Sequence, residues 1–195
     1  TLEIGAPVKE AVLSEQLGIS RAPIREALQV LVQEGLITSE PQKGKHVRQM
    51  TGKEIYDSYV VAGILEGAGV AESLPLWTEA NMETFRSVVR QMEGKISYAT
   101  KLDELAEIDE LFHATLFMAC DNTRLVEMAR TSCATISKYL YYQHWITMFT
   151  PREYADRHHA VAEAVYSRDV KHVETALRDH YKETGLRMAQ FGKEA

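Results

Sequence analysis

The sequence predicts a mainly α-helical chain in two parts: a pair of short helices and a β-hairpin in residues 1–50, and an antiparallel bundle of six or seven helices in residues 51–195. Three observations support this prediction. Two helical patterns are separated by a glycine-containing turn before residue 35, two short β-prone runs flank a turn at residues 41–44, and helical patterns with short loops fill the remainder.

The stretch from Leu13 to Gly35 predicts two short helices joined by a tight turn. The first helix is expected over about residues 9–17, and Gly18 stands where a helix C-terminus favours positive φ. Ser20 is placed to cap the second helix, and Pro23 falls in its first turn, where the missing N–H costs little.

The second helix has one apolar face and one polar face. The apolar face repeats at i, i+3, i+4 and i+7 and consists of Ile24, Ala27, Leu28 and Leu31. Outside that face lie Arg25 and Gln29, with Arg21 at the helix entrance. A cationic, amide-bearing front near a helix N-terminus suits a DNA major groove, although the same pattern alone is equally typical of a helical hairpin with solvated arginines.

A basic β-hairpin follows this helical pair. Residues 36–40 and 45–49 have strand character, and the residues between them form a turn with Lys43 and Gly44 at the tip. Residues 1–50 carry six basic and six acidic side chains, so the net charge of −6 belongs to the remainder, with 16 basic against 22 acidic. Helix, turn, helix and basic hairpin together predict a winged helix-turn-helix, and local charge matters more than total charge for phosphate contact.

The first fifty residues resemble the GntR family of bacterial transcription regulators. The resemblance rests on LGISRAPIREALQVLVQEGLI followed by KGKHV. It implies that Arg21 and Arg25 contact operator DNA and that the wing tip at Lys43 and Gly44 reaches the minor groove, with Lys45 also holding the DNA backbone. The family's domain usually begins with one more helix, so we expect this N-terminus to be truncated. The DNA-contacting set is then Ser20, Arg21, Pro23, Arg25, Gln29, Lys43, Gly44 and Lys45.

Capping residues divide the rest of the chain into helices. The caps are expected at Thr51, Thr78, Asn122, Thr150 (followed by Pro151) and Asp169. The predicted helices run over about residues 53–73, 78–98, 103–119, 122–145, from 151, and 169–190.

Composition favours a cytoplasmic globular protein. The chain is 45% hydrophobic and 26% charged, and its two cysteines form no CxxC pair, so neither a zinc knuckle nor a disulfide framework is indicated. We find no apolar run near 18 residues and no signal peptide at the start, and therefore expect no membrane span.

Four side chains of the predicted bundle could hold a metal. Asp109 and His113 are four residues apart and share a helix face, and His158 and His180 are separated by twenty-two residues across a helical hairpin. One carboxylate and three imidazoles suit a divalent transition metal, with Zn²⁺ favoured and Ni²⁺ or Mn²⁺ as alternatives. Most histidines of helical proteins are not ligands, and His144, His159 and His172 are expected to be surface or packing residues.

The second half resembles the FCD ligand-binding domain of the FadR branch of GntR regulators. The resemblance rests on Asp-x3-His followed by RHHAVAEAVYSRDVKHVETALRDH and covers about residues 52–190. It implies metal ligation by the same four residues, a small organic-acid effector and a homodimer. Relatives often carry an effector-binding arginine where this chain has Ala62, so Arg130 or Arg157 could replace it. Tyr139, Tyr142 and Trp145 either shape the pocket or belong to the core.

The sequence therefore predicts a transcription regulator that is not an enzyme. The alternative is a helical metalloenzyme using the Asp/His3 site. Di-iron bundles need two Glu-x-x-His motifs, and only one such motif is present, ending at His113. A hydrolase would need a general base beside an open metal position, and no residue suggests one. An architectural DNA-binding protein without effector is a third class, which the inward-facing metal set argues against.

Overall fold

The computed structural model describes residues 2–194. Its N-terminal part consists of helices α1 (Glu10–Leu17) and α2 (Arg21–Gln33) and strands β1 (Ile37–Glu40) and β2 (Gly44–Val47). The strands pair antiparallel, with Ile37 opposite Val47. The expected apolar face of α2 is buried through Ile24 and Leu28, which pack with Val8 and Ile37. The predicted winged helix-turn-helix is confirmed, including the left-handed φ of 67° at Gly18.

Seven α-helices form the remainder of the described chain. They are α3 (Gly52–Ser73), α4 (Glu79–Ile96), α5 (Ala106–Leu116), α6 (Thr123–Ser132), α7 (Tyr142–Met148), α8 (Pro151–Ser167) and α9 (Val170–Ala189). Short 3₁₀ helices at Leu74–Leu76 and Leu102–Leu105 and a π-helical segment at Thr135–Leu140 connect them. The five predicted caps of the bundle accept a hydrogen bond from the backbone of the first turn, which explains why these helices begin where the sequence predicts. Ser20 stands at the predicted N-cap position of α2, but its side chain makes no capping hydrogen bond.

The predicted helices over residues 103–119 and 122–145 are wrong in detail. The first begins as the 3₁₀ turn 102–105 and becomes α-helical at Ala106. The second is broken into α6, the π-helical segment and α7. The Thr131 and Ser132 hydroxyls donate to the Glu127 and Met128 carbonyls, and such bonds bend helices. The break allows the π-helical segment to face both the bundle interior and the junction with the N-terminal part.

Helix α3 is the central helix of the bundle and packs most extensively against α9. By length and composition alone, the stretch Gly52–Leu76 could cross a membrane, a feature that the sequence analysis missed. Half of its most apolar window is buried inside the bundle, and it carries the buried carboxylate of Glu66. A buried core helix meets the same criterion of length and hydropathy.

Gly63 allows α3 and α9 to approach closely, and Gly63→Ala is expected to destabilise the fold. A Cβ at this position would lie 2.8 Å from the Tyr181 Cβ and 3.3 Å from the Arg178 Cα, so the helices would have to separate. We expect urea unfolding to show a loss of about 1–3 kcal/mol. Gly94→Ala is the control, because its Cβ would meet nothing within 4 Å and should not destabilise helix α4. Equal stability of the two variants would contradict close packing at Gly63.

Candidate functional site

Three bundle helices bring the predicted metal ligands together. Helix α5 supplies His113, α8 supplies His158 and α9 supplies His180, and one ring nitrogen from each lies within 4.8 Å of the others. Asp109, one turn before His113, places its Oδ1 3.1 Å from the His158 Nε2 and 4.0 Å from the His113 Nε2. Residues from 109 to 180 thus meet at one point in the bundle interior.

Hydrogen bonds on the outer side of two imidazoles set their tautomers. The His113 Nδ1 lies 2.6 Å from a carboxylate oxygen of Glu66, and the His158 Nδ1 lies 2.8 Å from the Tyr154 carbonyl oxygen. Both partners are acceptors, so each Nδ1 carries the proton, and on a neutral ring Nε2 is then the nitrogen with a free lone pair. Carboxylates and carbonyls hold metal-binding histidines in this way in proteins.

The charge states of the imidazoles differ because their surroundings differ. Burial lowers the pKa of His158, and burial together with the neighbouring His158, Arg157 and His113 lowers the pKa of His180 well below its ordinary value. Burial also opposes the charge on His113, but the Glu66 carboxylate outweighs it and raises the His113 pKa to about 9. His158 and His180 are therefore neutral at pH 7, as metal binding would require, whereas His113 would have to release a proton.

The residues present fit a divalent metal. The Nδ1 of His180 is buried without a hydrogen-bond partner among the described residues, and a buried polar atom of this kind needs a partner. Burial opposes ionisation of Asp109, but the neighbouring imidazoles of His158 and His113 prevail, so the pKa of this carboxyl is lowered. Burial raises the pKa of the nearby Cys133 thiol to about 12, so it stays protonated, unlike a ligating thiolate.

The histidine cluster lines a cavity of about 380 Å³. Of the predicted effector-pocket residues, Arg130, Tyr142 and Arg157 line this cavity, and Trp145 does so as well. The prediction for Tyr139 is wrong, because its side chain is 64% exposed and lies outside the lining. It lies on the π-helical segment, of which Ile136 is the buried residue. Ala62 is buried and does not line the cavity.

Arg157 lines the cavity but is engaged by its own protein. Its guanidinium pairs with Glu183 at 3.0 Å, donates to the Thr184 hydroxyl at 2.7 Å and to the His180 carbonyl, and lies 4.1 Å from the centroid of the Phe149 ring. These contacts hold α8 against α9 beside the cluster. Arg130, in contrast, forms no ion pair with any residue among 2–194.

Sequence reasoning missed the buried carboxylate of Glu66. This side chain receives the His113 imidazole on one oxygen and the Tyr181 hydroxyl, at 2.6 Å, on the other. Glu66 is 47 residues from His113 in sequence, so no local spacing relates them. The available signal was a single charged residue within the otherwise uncharged stretch 58–71 of α3, because burying a carboxylate is costly unless it is paired.

The predicted DNA-contacting residues form an exposed face on α2 and the wing. Ser20, Arg21, Pro23, Gln29 and Gly44 are exposed, and Lys43 is exposed while pairing with Glu40 at 2.7 Å. Lys45 differs from the prediction that it holds the DNA backbone. Its side chain is only 23% exposed and pairs with Glu10 at 3.0 Å.

Glu10 forms ion pairs with both helix α2 and the wing. Besides Lys45, it pairs with Arg25 at 3.3 Å, so one carboxylate of α1 contacts both α2 and β2. The hydrogen bonds from Lys45 and Arg25 hold the pKa of Glu10 below its ordinary value. The Arg25 side chain, 63% exposed, is thereby held at the surface of α2 by a charged partner.

A winged helix-turn-helix ahead of an all-helical bundle with an enclosed polar cluster is the architecture of a DNA-binding transcription regulator. The family model described as "Bacterial regulatory proteins, gntR family" matches residues 1–47, and the model of the FCD domain matches residues 57–183. The chain therefore belongs to the GntR family of bacterial transcription regulators and carries an FCD domain.

Named relatives are transcription regulators. The chain is 26% identical over 193 residues to the HTH-type transcriptional repressor RspR of Escherichia coli K12, covering 97% of this chain and 82% of that protein. It is 30% identical over 122 residues to the gluconate operon transcriptional repressor of Bacillus subtilis, covering 63% of this chain and 49% of that protein. The solved structure of E. coli McbR/YncC shares the fold, with a TM-score of 0.72, 20% identity and coverage of 97% and 89% of the two chains.

Proposed function

We propose that this regulator senses a small organic acid at a divalent metal held in its FCD domain, and that the effector modulates operator binding. The observation that carries the proposal is the convergence of three imidazoles and the Asp109 carboxylate. Two of these rings are oriented from outside by a carboxylate and a carbonyl, which is the arrangement that supports metal ligands.

The residues that would hold the metal are Asp109, His113, His158 and His180. A set of three imidazoles and one carboxylate favours Zn²⁺, with Ni²⁺ or Mn²⁺ compatible with the same donors. When bound, the ion supplies a positive charge and open coordination positions for an anion. Titration of the chelator-treated chain with Zn²⁺ by calorimetry tests the proposal, and an absence of any Zn²⁺ binding would refute it.

The lining of the cavity favours a carboxylate effector of modest size. Among the described residues, Arg130 is the cation of the lining without an ion-pair partner, while Lys138 pairs with Glu110 at 3.0 Å and Arg157 with Glu183. Arg130 can therefore pair with such a group. Tyr142 and Trp145 supply flat apolar walls. The name of the gluconate operon repressor associates one relative with an organic acid, which supports the same class for this chain.

DNA binding is proposed to use a homodimer in the cytoplasm. Two copies would present two recognition helices to a pseudo-palindromic operator, since operator symmetry mirrors protein symmetry. Val61 and Ile64, one turn apart on α3, are exposed aliphatic side chains that support a surface for a second copy. Light scattering is expected to give about twice the chain mass of 22.0 kDa.

Zn²⁺ affinity is expected to rise with pH up to about the His113 pKa of 9. Below that pKa the metal must displace the proton that Glu66 stabilises, whereas His158 and His180 are already neutral. Apparent affinity should therefore increase about tenfold per pH unit, with about one proton released at pH 7. Calorimetry in buffers of different ionisation enthalpy measures this release. Glu66→Gln should reduce it, and a wild-type chain that releases no proton would contradict the assignment.

Arg130 and Arg157 are expected to respond differently to substitution by glutamine. Arg130→Gln should weaken the binding of a probe carboxylate such as gluconate to the Zn²⁺-loaded chain by about tenfold or more, because a charge-assisted bond is lost. Arg157→Gln should instead lower the stability by about 1–3 kcal/mol, because buried partners lose their donor. Calorimetry and thermal unfolding separate the two effects, and the reverse assignment of effects would contradict the proposal.

A further inference from the structure

At the junction between the winged helix and the bundle, the side chain of one tyrosine hydrogen-bonds to the backbone that connects the two parts. The hydroxyl of Tyr141 accepts a hydrogen bond from the Met50 N–H at 3.0 Å and donates one to the Met50 carbonyl oxygen at 3.2 Å. Both residues are buried, and 91 positions separate them in the chain. Met50 lies three residues after the last residue of β2, so its position determines where the wing leaves the bundle.

The C-terminal tail also forms a hydrogen bond with Met50. The N–H of Lys193 donates to the Met50 carbonyl oxygen at 3.0 Å. Gly192 makes this approach possible, because a Cβ there would lie 2.3 Å from the Gly52 backbone nitrogen. The tail follows α9, which carries His180 and Tyr181 to the cavity. The π-helical segment and α9 both line the cavity, and the residues that follow them, Tyr141 and Lys193, both form hydrogen bonds with Met50.

A continuous apolar cluster connects the cavity wall with this junction. We call it the junction cluster, and its buried members are Met50, Ile55, Tyr59, Ile136, Tyr141 and Met188. Tyr59 also lines the cavity, as do Cys133 and Trp145, which pack against the cluster. Ile4 packs against it from the N-terminal part. Closely packed side chains of this kind transmit displacement, because interiors have few voids in which to absorb it.

The π-helical segment links the two ends directly. Its residues Ser137 and Lys138 line the cavity, while Ile136 belongs to the junction cluster. The segment closes with a hydrogen bond from the Tyr141 N–H to the Ile136 carbonyl oxygen at 2.9 Å. A displacement of the cavity face of this segment would therefore reach Tyr141 through one continuous backbone, and π-helical turns are often found at functional sites.

We infer that Tyr141 is a positioning residue that couples occupancy of the cavity to the placement of the winged helix through its two hydrogen bonds to Met50. The inference rests on the proposed function, because it assumes a metal site in the cavity. It adds the route by which that site reaches the DNA-binding part: the π-helical segment, the Tyr141 hydroxyl and the Met50 backbone.

Tyr141→Phe tests the route, because it removes only the hydroxyl. Tyr139→Phe is the matched control, because Tyr139 lies on the π-helical segment two residues before Tyr141 and is exposed to solvent. In the full metal-free chain, we expect the Met50 amide to exchange with solvent about tenfold faster in Tyr141→Phe than in the wild type, and at the wild-type rate in Tyr139→Phe. Unchanged exchange in Tyr141→Phe would overturn the inference.

The second readout is the effect of Zn²⁺ on affinity for a DNA duplex selected by the wild-type chain from a random pool. Saturating Zn²⁺ should shift this affinity equally in the wild type and Tyr139→Phe, and the shift should fall by most of its size in Tyr141→Phe, which should still bind both Zn²⁺ and the duplex. Lys193→Pro removes the tail's N–H and should also reduce the shift.

The outcomes separate the coupling from the proposed function. Calorimetry could show that Zn²⁺ binds while duplex affinity and Met50 amide exchange stay unchanged in the wild type. This result would overturn the coupling but not the metal site. A full Zn²⁺ effect retained in Tyr141→Phe would do the same. A chain that binds no Zn²⁺ would remove the proposed metal site and the coupling with it.

Discussion

Replacing His158 by alanine is expected to lower Zn²⁺ affinity by more than about 100-fold. Loss of a side chain that only hydrogen-bonds to a metal ligand costs about 10–100-fold, and His158 is proposed to bind the metal directly. The ring is buried, its Nε2 faces Asp109, and its Nδ1 proton is held by the Tyr154 carbonyl. Calorimetric titration with Zn²⁺ measures the loss.

His159→Ala is the matched control for this substitution. His159 is the next residue of α8, but its Nε2 lies 3.3 Å from Glu93, outside the histidine cluster. The His158 ring packs against Tyr154 with centroids 3.9 Å apart, so alanine also leaves a void. His158→Asn fills part of that space and should lose Zn²⁺ while remaining folded by circular dichroism. Wild-type Zn²⁺ affinity in a folded His158 variant would exclude this residue as a ligand.

Arg25→Ala is expected to weaken binding to the selected duplex by about 10–100-fold, the effect of losing one guanidinium contact to a base. Arg25 stands on the exposed side of α2 and is oriented by the Glu10 carboxylate. Binding to an unrelated duplex should fall much less. Fluorescence anisotropy at a stated salt concentration measures both affinities.

Two further arginine variants make this result interpretable. Arg25→Lys keeps the charge but cannot form a bidentate contact, so it should retain phosphate binding while losing discrimination between the two duplexes. Arg152→Ala removes the same charge from the surface of α8, where Arg152 pairs with Asp156, and should leave DNA binding unchanged. Unchanged affinity and specificity in Arg25→Ala would argue strongly against the predicted DNA-contacting face of α2 and the wing.

Local patterns were sufficient for most helix boundaries. Capping side chains such as Thr51 and Thr150 act within one turn, and the apolar repeat of α2 reports its buried face directly. The break between α6 and α7 was not predictable in the same way, because the π-helical segment is stabilised by contacts of Ile136 and Tyr141 with distant parts of the chain. Local propensity alone favours one continuous helix there.

The candidate site likewise has features that local spacing predicts and features that depend on distant residues. Spacing on one helix placed Asp109 beside His113, and His158, rather than its neighbour His159, was expected among the metal-binding residues. Which cation is available to an effector depended on Glu183, which engages Arg157 from another helix. Whether the Lys45 ammonium is available to DNA likewise depended on Glu10, which lies 35 residues away and pairs with it. The sequence shows which side chains carry a charge, whereas the packed structure determines which charged side chains form ion pairs with one another.

The sequence by itself determined the winged helix-turn-helix, the capped helices, the family and the residues of the histidine cluster, because each depends on residue type at short or regular spacing. The tertiary structure alone decided that Glu66 holds His113, that Tyr139 faces solvent and that Tyr141 holds Met50. Each of these depends on how helices pack, and packing brings together groups whose separation along the chain follows no local period.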